Sequence, residues 1–448
     1  MTTNWAGARV LVVGMKKSGL ASAELLVGLG ARVRATDLKP LAELGEAADV
    51  LERLCIPFEV QTPAVFADCD AVVISPDVPA DLAPLEAARA RGVNVIGEVE
   101  LAAPFLKGTT IGITGTNGKT TTTSLIGHIL RAAGLPVQVG GNIGTPVTAM
   151  IATSCEGGWS VLELSSFQLE TIRDFRVDIG IALNVTPNHL DRHHTFENYA
   201  AAKANLFRNM TAGGIAILNA DDPVTAGYAK QTAANVEWFS LTRELDCGAC
   251  LVGETLMLDG KVLMQAGDVP LRGRHNVENV LAGSIAAARA GIRHETIAAA
   301  VRTFRAVEHR LEFVRTLNGI DFYNDSKATS VDATLKALDA FPGGLWVILG
   351  GKDKGLDFTA LCEPLRRKAH AALLIGAAAP KLAAQLNGAV PLVESGTLEA
   401  AIHYGFSNGR AGDTVLLAPA CASFDQFRSF EHRGEVFKEI VNQLGWDT

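Results

Sequence analysis

The most distinctive chemical pattern in the chain is a segment where glycines, a lysine and hydroxyl groups follow one another closely. It reads IGITGTNGKTTTT, residues 111–123, and a strand pattern runs into Gly115, Gly118, Lys119 and Thr120 before a helical pattern begins. Glycines let the backbone wrap around phosphate oxygens, a helix start offers N–H groups, and the lysine adds positive charge. The segment predicts a loop that binds a nucleoside triphosphate, with Thr120 able to coordinate magnesium.

The spacing of this loop is shorter than the general G-x-x-x-x-G-K-[ST] pattern. Ile113 occupies the position of the first glycine, so that the loop reads G-x-x-G-K-T. A glycine-rich turn between a strand and a helix can also be purely structural. The lysine and the adjoining hydroxyl groups favour phosphate binding over that alternative.

A glutamate at the end of a strand pattern is the second candidate for chemistry. Glu163 closes an apolar run within VLELSSFQLE. Glutamates are rare at buried positions because their charge must be compensated there. The carboxyl ends of parallel strands share one edge of a sheet, so we expect Glu163 to bind magnesium opposite Thr120.

A histidine-rich segment is the third candidate. Residues 184–207, NVTPNHLDRHHTFENYAAAKANLF, contain His189, His193, His194 and Lys203. Three histidines suggest zinc, but no H-E-x-x-H spacing is present, and magnesium beside ATP fits the segment better. We interpret His193 and His194 as members of a solvated loop. His189 is retained as a candidate because it follows a strand pattern closely.

The N-terminal segment GMKKSG, residues 14–19, resembles part of a dinucleotide-binding turn. It keeps the outer glycines of G-x-G-x-x-G, but Lys16 replaces the second glycine, which normally lets the backbone approach a pyrophosphate. NAD is therefore disfavoured, although Asp37 ends the next strand pattern. A different anionic nucleotide and a plain structural turn remain equally open.

The elements that must position these residues alternate between strand and helix patterns in three series. Strand patterns occur at residues 9–13, 32–36, 71–75 and 93–96, then at 109–114, 159–164, 179–185 and 214–219, and finally at 320–324, 345–350, 371–375 and 414–418. Residues 247–268 read as short strands and turns, and residues 277–290 as a helix. Such alternation predicts parallel, doubly wound sheets.

The predicted fold is therefore α/β with three tandem domains. An N-terminal Rossmann-like domain spans residues 1–98, a central P-loop ATPase-like domain with a parallel sheet spans 99–304, and a C-terminal Rossmann-like domain spans 305–448. A chain of 448 residues is too long for one hydrophobic core, which agrees with three domains.

Composition narrows the class of protein. A net charge of −8 without a long basic block argues against nucleic acid as a partner. The start, MTTNWAGARVLVVGMKKSG, is not typical of a signal peptide, and no apolar run of about 18 residues is present, so we expect a cytoplasmic protein without a membrane partner. The 7 cysteines suggest reduced thiols, and the pair Cys247 and Cys250 is assigned no function.

Taken together, the motifs resemble those of the Mur ligases of bacterial cell-wall synthesis over nearly the whole chain. The segments that carry the resemblance are GTNGKTT (115–121), GGNIG (140–144), LELSSFQLE (162–170), NVTPNHLDRH (184–193), GRHNVEN (273–279), EHRLE (308–312), NDSKATS (324–330), LGGKDKG (349–355) and PACASFDQF (419–427). Within the family, LELSSFQLE and PACASFDQF resemble the branch that adds D-glutamate. The resemblance implies an ADP-forming ligase acting on UDP-N-acetylmuramoyl-L-alanine and D-glutamate through an acyl phosphate.

The resemblance also implies a role for each matching residue. ATP would lie between the middle and last domains and contact Gly115, Thr116, Asn117, Gly118, Lys119, Thr120, Thr121, Asn276, Arg310 and Asp325. The UDP-sugar would contact Lys17, Ser18, Asp37, Asn142 and His189. The amino acid would contact Lys327, Thr329, Lys354, Ser423 and Phe430. The catalytic residues would be Lys119, Glu163, His189, Lys203 and Arg310.

Two magnesium ions are implied by the same resemblance. Thr120 and Glu163 would hold one, and His189 and Lys203 the other. Lys203 would first react with carbon dioxide, because a carbamate is anionic and offers oxygen ligands whereas an ammonium group would repel the ion. Two departures from the family concern its ligand pockets: Asp77 stands where a glycine is frequent, and Phe424 where a leucine is common.

Two rival functions stay open on the sequence alone. One is another ligase of the same mechanism, such as a folate polyglutamate synthase or a Mur ligase for a different amino acid. The other is a regulatory module whose nucleotide loop switches conformation without forming a bond. In every case we expect small-molecule ligands and a monomeric chain.

Overall fold

The computed structural model describes residues 4–305, 308–353 and 355–445. By internal contacts the chain divides into two compact units. The first unit comprises Met1–Ala266 with Glu278–Arg302, and the second comprises Gly267–Val277 with Thr303–Thr448. The domain boundaries at residues 98 and 304 stay predictions.

The first unit begins with a five-stranded sheet of order β3-β2-β1-β4-β5, in which every pairing is parallel. Its elements are β1 (Arg9–Val13), α1 (Lys17–Gly28), β2 (Arg32–Asp37), α2 (Glu46–Arg53), β3 (Phe58–Val60), β4 (Ala71–Ile74), α3 (Ala83–Ala90), β5 (Asn94–Gly97) and α4 (Glu98–Ala102).

A nine-stranded sheet of order β14-β13-β12-β11-β10-β9-β6-β8-β7 completes the first unit. Its elements are β6 (Thr109–Thr114), α5 (Lys119–Ala132), β7 (Val137–Gly141), α6 (Val147–Met150), β8 (Trp159–Glu163), α7 (Ser166–Leu169), β9 (Ile179–Ala182), α8 (Leu190–His193), α9 (Phe196–Arg208), β10 (Ile215–Asn219), α10 (Pro223–Gly227), β11 (Asn235–Ser240), β12 (Ala249–Val252), β13 (Thr255–Leu258) and β14 (Lys261–Gln265). Two helices follow, α11 (Arg274–Arg289) and α12 (His294–Thr303). In the order of the sheet, every neighbouring pair from β12 through β11, β10, β9, β6 and β8 to β7 is parallel. β13 and β14 form an antiparallel edge beside β12.

The second unit contains a six-stranded sheet of order β15-β16-β20-β17-β18-β19. Its elements are β15 (Glu312–Leu317), β16 (Ile320–Asn324), α13 (Val331–Asp339), β17 (Leu345–Gly350), α14 (Cys362–Lys368), β18 (Ala369–Ile375), α15 (Ala379–Leu386), β19 (Leu392–Gly396), α16 (Leu398–Asn408), β20 (Thr414–Leu417) and α17 (Phe430–Gln443). Among the described residues of this sheet, β15 and β16 form the only antiparallel pair, and the other neighbouring strands pair in parallel.

In the five-stranded and the six-stranded sheet, hydrophobic clusters that include helix residues cover both faces. In β1, Val10 and Val12 belong to one apolar cluster, while Leu11 and Val13 belong to a cluster on the opposite face. Successive side chains of a strand point to opposite faces, so both faces must be buried for this pattern to arise. The predicted doubly wound α/β fold is therefore confirmed.

No helix within the described ranges is both long enough and apolar enough to cross a membrane.

Candidate active site

The candidate site begins where three neighbouring strands end together. In the parallel register, Ile113 of β6 lies beside Glu163 of β8, and Thr114 of β6 lies beside Ala182 of β9. The loops that follow these strands therefore leave the sheet at one edge. Ligands of open α/β sheets bind at such an edge.

The glycine-rich segment forms the predicted strand, loop and helix, because β6 ends at Thr114 and α5 begins at Lys119. Gly118 has a φ of 84°, and a Cβ atom added there would lie 2.3 Å from Asn279 Oδ1. Any other residue would be strained at this turn. Lys119 Nζ folds back onto the loop, 2.9 Å from the carbonyl oxygens of both Gly115 and Thr116.

An asparagine that the sequence analysis did not single out holds this loop in place. Asn184 Oδ1 accepts a hydrogen bond from Asn117 N at 2.9 Å, and Asn184 Nδ2 donates to Asn117 O at 3.2 Å. The backbone oxygen of Asn184 also accepts from Thr116 N at 2.8 Å. Its position just after β9 was the only available signal, since the partner lies 67 residues away.

The predicted magnesium pair is brought together at the same edge. Thr120 Oγ1 donates to Glu163 Oε2 at 2.7 Å, and Asn142 Nδ2 donates to Glu163 Oε1 at 2.8 Å. Glu163 is buried. A carboxylate and a hydroxyl are hard oxygen donors of the kind that magnesium prefers, so the residues fit this ion.

Lys203, on α9, points into the same region from beneath the loop. Its exposed fraction is 1%, and its Nζ donates to Gly115 O at 2.8 Å and lies 4.6 Å from the ring centre of Tyr199. Burial lowers the pKa of Lys203 well below its usual value, and the nearby charge of Lys119 lowers it further. Both effects favour the neutral amine over the ammonium form, and the neutral amine is the form that reacts with carbon dioxide.

His189 is the residue before α8 and has a left-handed backbone, with φ at 53°. Its ring packs edge-on against Phe167, with 4.9 Å between ring centres, and lies 6.3 Å from the ring of Tyr199. Tyr199 therefore contacts both members of the predicted second magnesium pair, His189 and Lys203.

The interpretation of His193 as part of a solvated loop is wrong. This side chain is buried, and its Nε2 lies 3.0 Å from Ser166 Oγ. Burial lowers the pKa of His193 to about 4, and the charge of Arg192 contributes in the same direction. His194 is exposed, as expected, and its Nε2 lies 3.1 Å from Asp81 Oδ2.

Arg192 connects the middle sheet with the N-terminal one and was also missed. Its guanidinium donates to Val78 O at 2.8 Å and forms an ion pair with Glu170. It also lies 4.9 Å from the ring centre of Phe167, which packs against His189. Arg192 thus supports the position of His189 through Phe167.

The residues predicted to bind the UDP-sugar follow β1 and β2. Asp37 Oδ2 accepts from Met15 N at 2.7 Å and Asp37 Oδ1 accepts from Lys39 N at 3.0 Å, which joins the loops after the two strands. Lys17 is exposed and Ser18 is half-buried at the start of α1. Their accessibility is compatible with binding an anionic ligand.

Close packing between Gly14 and Gly19, the outer glycines of GMKKSG, gives a structural reason for glycine in this segment. A Cβ atom added at Gly19 would lie 1.8 Å from Gly14 O, so helix α1 can approach the loop this closely only with glycine. Asp77, one of the departures from the family, pairs with Lys16 at 2.6 Å on the exposed rim of this loop.

Three further residues predicted to contact ATP lie in the second unit. Asp325 is buried, and burial raises its pKa to about 7 although the charge of Arg310 acts in the opposite direction. Asp325 Oδ1 accepts a hydrogen bond from Leu311 N at 3.3 Å. Asn276 is buried and its Nδ2 donates to Arg272 O at 2.7 Å.

The residues predicted to bind the amino acid follow β16 and β20. Lys327 Nζ lies 4.8 Å from the ring centre of Phe430, Ser423 is buried, and Thr329 is half-buried. Lys354 lies outside the described residues. Phe424, the second departure from the family, is 66% exposed and leaves the interior of this region unchanged.

Among the described residues, no group of three or more histidine, cysteine, aspartate or glutamate side chains is arranged to hold a metal ion. The four residues predicted to bind magnesium do not form such a group, because two of them, Thr120 and Lys203, are not of these four residue types.

The chain is similar to known proteins in both sequence and fold. Residues 113–287 match the Mur ligase middle domain, and residues 309–421 match the Mur ligase glutamate ligase domain. A UDP-N-acetylmuramoylalanine--D-glutamate ligase of Solibacter usitatus is 70% identical over 98% of each chain. One of Acidobacterium capsulatum is 49% identical over 97% of this chain and 96% of its own.

Solved structures at low sequence identity share the fold. A UDP-N-acetylmuramate-alanine ligase of Thermotoga maritima superimposes with a TM-score of 0.62 at 18% identity, covering 97% of this chain and 99% of its own. A pseudomurein peptide ligase of Methanothermus fervidus gives 0.61 at 20% identity, covering 98% of this chain and 100% of its own. These similarities support the three-domain α/β architecture.

Proposed function

Because the chain belongs to the Mur ligase family, we propose that it is an ATP-dependent ligase that joins D-glutamate to UDP-N-acetylmuramoyl-L-alanine in peptidoglycan precursor synthesis. The observation that carries the proposal is the convergence of the phosphate loop, Glu163 and Lys203 at one sheet edge. The full-length similarity to the D-glutamate ligases supports the choice of amino acid.

The first proposed step activates the carboxylate of the UDP-linked substrate. Carboxylates are poor electrophiles, so a carboxylate oxygen attacks the γ-phosphorus of ATP, the bond from that phosphorus to ADP breaks, and an acyl phosphate forms. Residues 115–121 would hold the ATP phosphates through their N–H groups. Lys119 would offset the charge that develops on the transferred group.

The second proposed step forms the amide. The amine nitrogen of D-glutamate attacks the activated carbonyl carbon, the bond from that carbon to phosphate breaks, and inorganic phosphate leaves together with one proton from the amine. No bond to the protein is formed in either step. The chain's contribution is to position both substrates and to exclude water from the acyl phosphate.

Two magnesium ions are proposed, with Thr120 and Glu163 at one and His189 and Lys203 at the other. When bound, magnesium neutralises negative charge on the phosphates and the substrate carboxylate. Lys203 is proposed to act as a carbamate: its neutral amine nitrogen bonds the carbon of carbon dioxide and loses one proton. Its burial and lowered pKa support this assignment.

The remaining contacts are proposals of the same kind. Asn276, Arg310 and Asp325 would complete the ATP site, and Lys17, Ser18, Asp37, Asn142 and His189 would bind the UDP-sugar. Lys327, Thr329, Lys354, Ser423 and Phe430 would bind D-glutamate. A cytoplasmic location and a monomeric state also stay predictions, and size-exclusion chromatography with light scattering tests the latter.

Phosphate release by the purified protein with ATP, magnesium and UDP-N-acetylmuramoyl-L-alanine tests the proposal. Release that requires D-glutamate, and does not occur with L-glutamate, L-alanine or diaminopimelate, is the expected result. Release with another amino acid would keep the ligase mechanism and change the substrate. ATP binding without any amide product would instead favour a regulatory module. Lys119→Ala, which removes the loop cation, serves as the inactive control.

A further inference from the structure

A fully buried arginine lies beneath the loops that carry the predicted amino-acid site. Arg433, in the first turns of α17, is the largest fully buried side chain among the described residues, with an exposed fraction of 0%. Arginine is almost never buried to this degree unless its charge is paired. The position therefore calls for a physical explanation.

The guanidinium of Arg433 spans two loops through hydrogen bonds. Its Nε donates to Ser326 Oγ at 3.0 Å, and one terminal nitrogen donates to Ser326 O at 2.8 Å. Both terminal nitrogens donate to Cys421 O at 3.2 Å, and one of them also reaches Ala422 O at 3.4 Å. Ser326 follows β16, whereas Cys421 and Ala422 follow β20.

All of these acceptors are neutral oxygens. In the part of the chain that the structure describes, no ion pair joins the Arg433 guanidinium to a carboxylate, although the charge of Asp425 acts on it electrostatically. Burial lowers the pKa of Arg433 to about 10, which still leaves the group positively charged at neutral pH. The fold thus keeps a charge in its interior whose hydrogen-bond partners are neutral carbonyl and hydroxyl oxygens, although such burial is costly.

The partners of Arg433 adjoin the predicted contacts of the amino acid. Ser326 directly precedes Lys327, and Ala422 directly precedes Ser423. Phe430 is the first residue of α17, and its carbonyl oxygen accepts a hydrogen bond from Ser326 Oγ at 2.8 Å. The Arg433 side chain therefore contacts the residues that directly precede Lys327 and Ser423, and Ser326 links it to the carbonyl oxygen of Phe430.

We propose that Arg433 is a positioning residue for the incoming amino acid. Its hydrogen bonds set the spacing of Lys327, Ser423 and Phe430, and its charge favours an anionic dicarboxylate at that site. This inference rests on the proposed function. Arg433 does not itself contact the substrate, because its donors are engaged by the two loops.

Two substitutions separate this role from a merely structural one. Arg433→Lys keeps the positive charge but cannot reproduce the planar set of hydrogen bonds. Ser326→Ala removes one acceptor and leaves the charge in place. Arg315→Lys is the matched control, because Arg315 donates to Asn442 O at 3.0 Å and Leu444 O at 3.1 Å, at the other end of α17.

Steady-state phosphate release gives the KM of each substrate. For Arg433→Lys we expect the KM for D-glutamate to rise by about tenfold, with the KM values for ATP and the UDP-linked substrate within about twofold of wild type. Ser326→Ala should raise the KM for D-glutamate by about threefold. Arg315→Lys should leave all three KM values unchanged.

Each other result has a defined meaning. An unchanged KM for D-glutamate, or an equal rise of all three KM values, would overturn the positioning role. If Arg433→Lys does not fold, as judged by circular dichroism, Ser326→Ala decides by the same criterion. A wild-type protein that releases no phosphate with D-glutamate would overturn the proposed function itself, whereas a variant-specific result concerns Arg433 alone.

Discussion

Replacement of Asn184 by alanine should weaken ATP binding through the phosphate loop. Asn184 holds the loop through three hydrogen bonds: its side chain accepts one from Asn117 N and donates one to Asn117 O, and its backbone oxygen accepts one from Thr116 N. Asn184→Ala removes the first two and keeps the third. The loop then loses the link that holds Asn117 beside the end of β9.

The magnitude follows from these two hydrogen bonds. A hydrogen bond contributes a net stabilisation of about 0.5–1.5 kcal/mol, so the loss of two destabilises the ordered loop by about 1–3 kcal/mol. If ATP binding must restore that order, its Kd should rise between about 5-fold and 150-fold. The KM for D-glutamate should not change, because the residues predicted to bind it lie in the second unit.

A matched control separates this effect from general destabilisation. Asn209 Nδ2 also donates to two backbone oxygens, Arg173 O at 2.7 Å and Phe175 O at 3.0 Å, but none of these residues belongs to the loop. Calorimetric titration with an ATP analogue and urea denaturation should be performed on both variants. We expect Asn184→Ala and Asn209→Ala to lose similar amounts of stability, and we expect only Asn184→Ala to show a higher Kd for the ATP analogue. An unchanged Kd, or equal changes in both variants, would refute the reasoning.

Three further predictions concern buried ionisable groups. Lys203→Met should abolish phosphate release yet leave the free energy of unfolding equal or higher, because it removes a buried amine; urea denaturation and the release assay test both parts. The pKa of His193 is lowered to about 4 from 6.5, so between these pH values the unfolded state takes up a proton that the folded state does not. The free energy of unfolding therefore falls as the pH drops from 6.5 towards 4. His193→Phe should make the free energy of unfolding, measured by urea titration, less different between pH 7 and pH 5. The pKa of Asp325 is raised to about 7 from 3.8, so between these pH values the folded state keeps a proton that the unfolded state loses, and the free energy of unfolding falls as the pH rises. Asp325→Asn should therefore exceed wild type in free energy of unfolding by more at pH 8 than at pH 5. An equal difference at the two pH values would contradict this.

The sequence predicts the interior strands well because their apolar runs are continuous. The bounds of β6, β16 and β17 agree with the predicted residues 109–114, 320–324 and 345–350. A strand that is buried on both faces needs apolar residues at successive positions, which makes its limits visible.

Four edge strands were missed for the opposite reason, whereas the edge strand β5 was predicted at residues 93–96. The strands β3, β15 and β19 lie at the edges of their sheets and contain exposed residues, so their patterns are mixed. β7 lies at the edge of the nine-stranded sheet and ends in two glycines. Tertiary pairing, rather than local preference, makes these segments extended.

Candidate site residues were predicted where the chemistry is local in sequence. The phosphate loop places its glycines, lysine and threonines within a few residues, so its pattern is visible without a fold. Asn184, Tyr199 and Arg433 act through partners that are 67, 83 and 107 residues away, respectively. No spacing in the chain can report such contacts.

The error on His193 has a similar cause. Two adjacent histidines in a polar segment suggest exposure, yet α8 turns only one of them inward. The ring of His193 stacks on Phe167 at 5.5 Å and lies 5.4 Å from the ring of Tyr199. Both aromatic residues come from other elements, so their burial of His193 depends on packing that the local sequence does not contain.

Two buried basic side chains give the strongest link between the fold and the proposed chemistry. Lys203 and Arg433 are both fully buried, and each is solvated by neutral backbone or hydroxyl oxygens in the described structure. Apolar residues of similar volume would stabilise such positions at least as well, so stability alone does not explain them. Both lie beside predicted sites for anionic groups, namely the ATP phosphates near Lys203 and a dicarboxylate near Arg433. A ligand that compensates an interior charge binds more tightly there than at a solvated surface, because the local dielectric is low. We therefore expect Lys203→Met and Arg433→Lys to affect ligand binding and turnover more than they affect folding.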